Sequence, residues 1–342
     1  MSTDNTGVGA RHGVPPSIDH DHGHDHDHDH DHDHDHEALG DRPPSWRSRL
    51  ITALLRRLPI KRKTASAEAV RDFVRRQAAQ PASHKPIGLG AKVAVGLRSF
   101  ATWPVYRTAP TARPATANLV VFLHGGGYVK EIVKAHWRFI GFLTRETGAS
   151  CFVPIYPLAP EGTALDVVPM MGRLLAAVID EADGARVTVI GNSAGGGMAL
   201  AVAQWLRDNG HRQPDALVLI SPGLDATLSH RNQAALAAND PTQDLPGIRE
   251  GARLYAGELA LSHPYVSPLK GELHGLAPML VFAGTADLLY PDSVALASLA
   301  RAAGGRVELH LRRGQPHNYA GLPTPEGREA RERVLRAVSE AF

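Results

Sequence analysis

A strand, a sharp turn and a helix follow one another without a break around Ser193. Residues 187–190 read Val-Thr-Val-Ile, which is typical of a buried strand, and Gly-Asn-Ser-Ala-Gly follows at once at 191–195. A helix-forming run starts at residue 198. Only glycine fits on either side of such a strained turn without a clash of its Cβ atom. The pattern predicts that Ser193 is an exposed nucleophile; the alternative is a glycine-rich turn without chemistry.

Strands alternate with helices along most of the chain after residue 90. The predicted strands lie at 91–98, 104–108, 119–123, 151–156, 186–190, 217–220, 279–283 and 307–312. The predicted helices lie at 134–147, 169–181, 198–206, 292–303 and 326–340. Strands separated by helices imply a mostly parallel central sheet with helices on both faces. We therefore predict one α/β catalytic domain over residues 91–342.

The alternation of strands and helices stops between residues 225 and 276. Two helices are predicted there, at 231–238 and 247–259, with a turn between them. An insertion of this size after a core strand is well placed to cover the site. We predict a helical cap made of this insertion and of the N-terminal region 43–90.

A run of three glycines follows the buried strand at 119–123. The sequence there is His124-Gly125-Gly126-Gly127, and glycines leave their backbone N–H groups unshielded. The N–H groups of Gly125 and Gly126, together with that of Ala194, are candidates for an oxyanion hole. The alternative is a phosphate-binding loop, but the Gly-Lys-Ser/Thr ending of a P-loop is missing.

Taken together, these motifs resemble the hormone-sensitive-lipase-like family of α/β-hydrolase esterases. Further matching segments are Tyr-Pro-Leu-Ala-Pro-Glu at 156–161, Ser-Pro-Gly-Leu-Asp at 221–225 and Tyr-Val-Ser-Pro-Leu at 265–269. The resemblance covers roughly residues 90 to 340. It implies an α/β-hydrolase core with a cap and ester hydrolysis without a cofactor. The chain departs from the family at Asn192, where Asp is usual, and at Pro157, where Arg is common.

In this fold the other two members of the triad follow the nucleophile, the acid first and the histidine last. Asp287 lies in the loop that follows the predicted strand at 279–283, where the family places its acid, and His317 lies in the loop after the last strand. Nearby Asp292 is interpreted as a helix N-cap. Tyr128, beside the glycine loop, is a candidate pocket wall.

An acidic tract precedes the predicted domains. Residues 1–42 carry eleven acids against two arginines, so that residues 43–342 carry a net charge of +11. Such a segment has nothing apolar to bury and is predicted to be disordered. Its imidazoles can bind divalent transition metals adventitiously, but no metal is predicted in the active site. The candidate ligands occupy every second position: His20, His22, His24, His26, His28, His30, His32, His34 and His36.

Residues 46–63 form a basic amphipathic stretch with seven positive charges and no acid. Their apolar residues recur at helical spacing: Trp46, Leu50, Ile51, Leu54, Leu55 and Leu58. One interpretation is a helix on an anionic membrane surface. The favoured interpretation is a helix that packs its leucines on the catalytic domain and leaves its arginines in water. No nucleic-acid partner is predicted, and a homodimer is left open.

Three features bear on the compartment. The first 18 residues lack the apolar core of a signal peptide, and no stretch offers 18 uninterrupted apolar residues. The single cysteine, Cys151, lies in an apolar run and is predicted to be buried. The sequence therefore predicts a cytoplasmic protein, with peripheral membrane contact as an alternative.

The combined prediction is a serine carboxylesterase or acetyl-ester hydrolase that cleaves short- to medium-chain acyl esters through an acyl-enzyme. One alternative is a non-catalytic protein that binds small molecules on the same fold. Another is a metal-binding protein that acts through the Asp-His tract. Retention of Ser193, Asp287 and His317 together favours the enzyme.

Overall fold

A computed structural model of the chain describes residues 42–61 and 65–340. Its centre is one sheet of eight strands in the order β1-β2-β4-β3-β5-β6-β7-β8. Strands β3 to β8 pair in parallel, whereas β1 and β2 form an antiparallel edge. The strands are Val93–Phe100, Trp103–Pro110, Leu119–Leu123, Ser150–Pro154, Val187–Asn192, Ala216–Ile220, Met279–Gly284 and Val307–Arg312. This arrangement confirms the predicted α/β-hydrolase fold class.

Helices cover both faces of the sheet. In chain order, α1 to α9 are Trp46–Arg57, Ala67–Ala78, Lys134–Thr147, Ala164–Glu181, Ala194–Asp208, Gln233–Asn239, Leu245–Ala256, Tyr290–Ala302 and Pro325–Ser339. Along β3, Val121 and its alternate neighbours join the core beneath α4, α5 and α8. Val120 and Phe122 point the other way and join the core beneath α3 and α9. Side chains of a strand alternate between faces, so an all-apolar strand such as β3 needs helices on both sides.

Helix α4 begins five residues earlier than the sequence predicts. The prediction started this helix at Pro169, but the structure starts it at Ala164 and places the proline inside it. A proline within the helix removes the N–H that would bond to the carbonyl of Leu165. The side chain of Leu165 is exposed, so the helix faces water on this side. Cys151 lies fully buried in β4, as predicted.

The segment between β6 and β7 contains α6 and α7, which pack on the N-terminal helices. Arg71 of α2 lies 2.9 Å from the carboxylate of Glu250 on α7. Lys61, after α1, donates to the carbonyl of Ala237 on α6 at 2.7 Å. The division into a tail at 1–42, a cap region at 43–90 and a catalytic domain stays a prediction. Among the described residues, no helix is both long enough and apolar enough to cross a bilayer.

The favoured interpretation of helix α1 was wrong for most of its apolar residues, although its arginines are exposed as that interpretation expected. Ser48 and Thr52 are the buried residues of this helix. The Ser48 hydroxyl donates to Glu326 of α9 at 2.7 Å, so polar contacts hold the helix to the body. The exposed side carries the stripe of Trp46, Leu50, Leu54 and Leu58. Arg62 and Lys63 lie outside the described residues.

Candidate active site

Ser193 stands in the turn between β5 and α5, at the carboxyl edge of the sheet. Its backbone has φ 54° and ψ −124°, which is a strained conformation for serine. A Cβ atom at Gly191 would lie 2.2 Å from the carbonyl oxygen of Gly195. One at Gly195 would lie 2.1 Å from the carbonyl oxygen of Leu123 on β3. The two glycines therefore allow the close packing that holds Ser193 in this conformation.

The structure brings the three predicted triad residues together. His317 Nε2 lies 2.9 Å from Ser193 Oγ, and His317 Nδ1 lies 2.8 Å from Asp287 Oδ2. The parallel sheet explains this meeting, because β5, β7 and β8 all end at the same edge. Burial lowers the pKa of His317, but the charge and hydrogen bond of Asp287 outweigh it and leave the pKa above its ordinary value.

A second carboxylate, Asp240, lies behind the acid and was missed by the sequence analysis. It is 2% exposed, and its Oδ2 accepts from the backbone N–H of Leu288 at 2.9 Å, next to Asp287. Its Oδ1 accepts from the backbone N–H groups of Thr242 and Gln243. Burial and the charge of Asp287 raise the pKa of Asp240, whose own charge helps to raise that of His317. The sequence signal was an Asx turn at an Asp-Pro pair, which alone indicates only a loop.

Asp292 does not cap helix α8, so this part of the prediction was wrong. The helix begins at Tyr290, and Leu289 occupies the N-cap position. Asp292 lies in the first turn, where its Oδ2 is buried without a hydrogen-bond partner among the described residues. Burial and the charge of Asp225 raise the pKa of Asp292 to about 7. Its carboxyl group makes no hydrogen bond to His317, which is bonded to Asp287.

The glycine loop offers a different pair of donors from the pair that the sequence predicted. The N–H of Gly125 already donates to Asn192 Oδ1 at 3.0 Å, so the prediction that Gly125 serves the oxyanion was wrong. Among the described residues, the N–H groups of Gly126 and Gly127 have no hydrogen-bond acceptor. Ala194 is the first residue of α5, where a helical N–H has no partner within the helix. These three groups are the available donors near Ser193.

Asn192 joins the elbow to two neighbouring loops. Besides accepting from Gly125, its amide nitrogen lies 3.4 Å from Asn318 Oδ1 and 3.5 Å from His136 Nε2. Burial, together with the smaller effect of nearby His124, lowers the pKa of His136 to about 3, so the ring is neutral. The amide of Asn192, which stands where Asp is usual in the family, therefore contacts only neutral groups. Being neutral itself, it needs no positively charged partner.

A cavity of about 270 Å³ opens at Ser193 and His317. Its wall includes Tyr128, as the sequence analysis expected, and this ring stacks on Tyr255 of α7 at 3.8 Å between centroids. Apolar side chains from the N-terminal helix α2 and from the insertion complete the lining: Val70, Phe73, Ile248 and Ala252. The surface of the cavity is thus mostly apolar, and Ser193 and His317 are among its polar groups.

Within residues 42–61 and 65–340, no group of three His, Cys, Asp or Glu side chains is arranged to hold a metal ion. The nine histidines of the Asp-His tract, His20 to His36, lie outside the described residues. Metal binding by that tract stays a prediction.

Comparison with known proteins gives a consistent set of relatives. Residues 120–321 match the family described by the alpha/beta hydrolase fold. A triacylglycerol lipase of Mycobacterium tuberculosis is 37% identical over 213 residues, which are 62% of this chain and 44% of that lipase. An acetyl-hydrolase of Streptomyces hygroscopicus is 32% identical over 66% of this chain and 77% of that protein. The crystal structure of a hormone-sensitive lipase from a metagenome library has a TM-score of 0.73 at 26% identity, covering 86% of this chain and 99% of that one.

Proposed function

The chain belongs to the hormone-sensitive-lipase-like family of α/β hydrolases, and we propose that it hydrolyses short- to medium-chain carboxylic esters at Ser193. The observation that carries the proposal is the position of His317 between Ser193 and Asp287. An imidazole with one nitrogen on a carboxylate and the other on a serine hydroxyl can take the proton of that hydroxyl. The relatives are named as lipases, esterases and acetyl-hydrolases.

The first half of the proposed reaction forms an acyl-enzyme. Ser193 Oγ attacks the ester carbonyl while its proton passes to His317 Nε2, and Asp287 stabilises the imidazolium that forms. The oxyanion accepts from the N–H groups of Gly126, Gly127 and Ala194. The C–O bond of the ester then breaks, and His317 returns the proton to the departing alcohol.

The second half releases the acid. Water attacks the acyl group on Ser193 and gives a proton to His317, and the same three N–H groups stabilise the second oxyanion. When the C–Oγ bond breaks, the proton returns to Ser193. No step in this sequence uses a metal or a cofactor.

The cavity supports short to medium acyl chains. Its volume of about 270 Å³ lies near the lower limit of small-molecule sites, and its lining is mostly apolar. Side chains of α2 and α7 form part of its wall, so they are the candidates for the residues that limit chain length. The cytoplasmic location and the homodimer stay predictions, because this geometry does not bear on them.

The proposal is tested with p-nitrophenyl esters from acetyl to decanoyl. We expect the highest kcat/KM for the shorter acyl chains. Ser193→Ala should lower kcat by roughly 10⁴-fold or more, because the oxygen that attacks the ester is removed. Ser99→Ala, at an exposed position of β1, is the matched control and should retain full activity. Turnover by Ser193→Ala within a few-fold of the parent chain would refute the assignment of the nucleophile.

A further inference from the structure

Helix α1 presents an apolar stripe to solvent. Trp46, Leu50, Leu54 and Leu58 are 64%, 62%, 56% and 47% exposed. Trp46, Leu50 and Leu54 recur every four residues, which places them on one side of the helix, and Leu58 follows at its C-cap. Large apolar side chains scattered singly over a surface are ordinary, but four in one stripe mark an interaction surface.

The stripe is held in this orientation by contacts on the opposite side of the helix. Ser45 caps the helix, and its hydroxyl donates to Glu326 of α9 at 2.9 Å. Ser48, one turn later, donates to the same carboxylate and to Gln315. Ser45 and Ser48 therefore fix the side of α1 that faces the body. If the helix rotated to turn its leucines inward, these hydrogen bonds would break, and a leucine side chain could not form them again.

The charges around the stripe select its partner. Arg47, Arg49, Arg56 and Arg57 are exposed, and α1 contains no acid. A second copy of the chain paired about a two-fold axis would bring two such helices together and oppose like charges. An anionic lipid surface instead offers an apolar layer for the leucines and acidic headgroups for the arginines.

We propose that α1 docks the protein on anionic membranes, with the stripe of Trp46, Leu50, Leu54 and Leu58 inserted among the lipids and the arginines on the headgroups. The helix also contacts the insertion beside the active site: Arg56 donates to the carbonyl of Asn239 at 3.4 Å, next to Asp240. Docking is a binding property, so it does not depend on the proposed esterase activity.

The test measures sedimentation of the full chain with vesicles of phosphatidylcholine, with and without phosphatidylglycerol. We expect binding only to the phosphatidylglycerol vesicles, and we expect salt to weaken it. Leu50→Ser with Leu54→Ser should reduce partitioning by roughly ten-fold or more, because two inserted side chains are lost. Arg47→Gln with Arg57→Gln should remove the preference for phosphatidylglycerol.

The matched control is Leu165→Ser with Leu299→Ser, which removes two leucines that are 52% and 49% exposed on α4 and α8. This pair should bind vesicles like the unaltered chain, and the far-UV circular dichroism spectrum reports that each variant is folded. Equal vesicle binding by the α1 leucine variant would overturn the proposal, as would no binding by the unaltered chain. If the unaltered chain did not bind vesicles but formed a dimer, and Leu50→Ser with Leu54→Ser made it monomeric, the partner of the stripe would be a second copy of the chain and the proposal would be overturned.

Discussion

The backbone of Ser193 is held in a strained conformation, with φ 54° and ψ −124°, which an ordinary turn does not require. Its N–H donates to the carbonyl of Ile220 on β6, and its own carbonyl accepts from Gly223, so the end of β6 and the loop after it hold Ser193. Strain of this kind costs on the order of 1–3 kcal/mol and persists where the surrounding structure determines it. Asn318, next to His317, donates its N–H to the Ser221 hydroxyl at 2.9 Å. The nucleophile and its base are thus both fixed from the end of β6.

Replacement of the acid distinguishes Asp287 from its buried neighbour. Asp287→Asn should lower kcat by about 10³–10⁴-fold, since an amide at this position favours the wrong tautomer of His317. Asp292→Asn is the control, because this carboxyl group is also buried but makes no hydrogen bond to His317, and it should cost less than ten-fold. Steady-state kinetics on both variants decides the point. A larger loss for Asp292→Asn would transfer the role of the acid to that residue.

Asp240 should set the pH at which the enzyme loses activity in acid. Its negative charge helps to hold the pKa of His317 above its ordinary value, and His317 must be neutral to take the serine proton. Asp240→Asn removes that charge, so the pKa of His317 falls and the acid limb of kcat/KM should move to lower pH. Asp183→Asn, which removes an exposed carboxylate just after α4, should leave the limb in place. A lower rate with an unmoved limb would reduce Asp240 to a purely structural role.

At the scale of elements, periodicity identified the strands and most helices but not the direction in which α1 faces. The apolar runs of β3 and β5 can be accommodated only in a sheet covered on both sides, so their positions followed from composition. In α1 the spacing of the apolar residues shows which of them share a side of the helix. It does not show which side of the helix packs against the rest of the protein. That choice depends on Glu326, 281 residues from Ser45. The bond from the Gly125 N–H to Asn192, which leaves Gly127 as a candidate donor instead, and the contact of Asp240 with Leu288 likewise join residues distant in sequence.

Helix α7 should limit the length of the acyl chain. Ile248 lines the cavity from this helix, and a larger side chain there would fill part of the space beyond Ser193. Ile248→Trp should lower kcat/KM for octanoyl relative to acetyl esters by about ten-fold, because a few methylene groups of the octanoyl chain would no longer fit in the cavity. Arg249→Trp adds the same ring at the exposed neighbouring position and should leave the ratio unchanged. An unchanged ratio in Ile248→Trp would remove α7 from the determinants of specificity.

At the scale of the whole molecule, charge is divided unequally along the chain. Residues 1–42 carry a net charge of −9 and include nine alternating histidines, whereas residues 43–342 carry +11. Ser193, His317 and Asp287 are brought together within the described part of the chain, which starts at residue 42. The chemistry proposed for the triad and the metal chemistry proposed for the tract are therefore separable in a single experiment.

Metal should bind the tract without affecting ester hydrolysis. Exposed imidazoles titrate near ~6.5, so at neutral pH they can bind Zn or Ni, and at about pH 5 protonation should release the metal. Metal content and turnover are measured before and after EDTA, for the full chain and for a form that begins at Pro43. We expect EDTA to remove metal from the full chain alone and to slow neither form, because the triad transfers protons between its own side chains. Loss of turnover on chelation, restored by zinc, would overturn the serine-hydrolase mechanism, whereas equal metal content in both forms would show that the tract does not bind it.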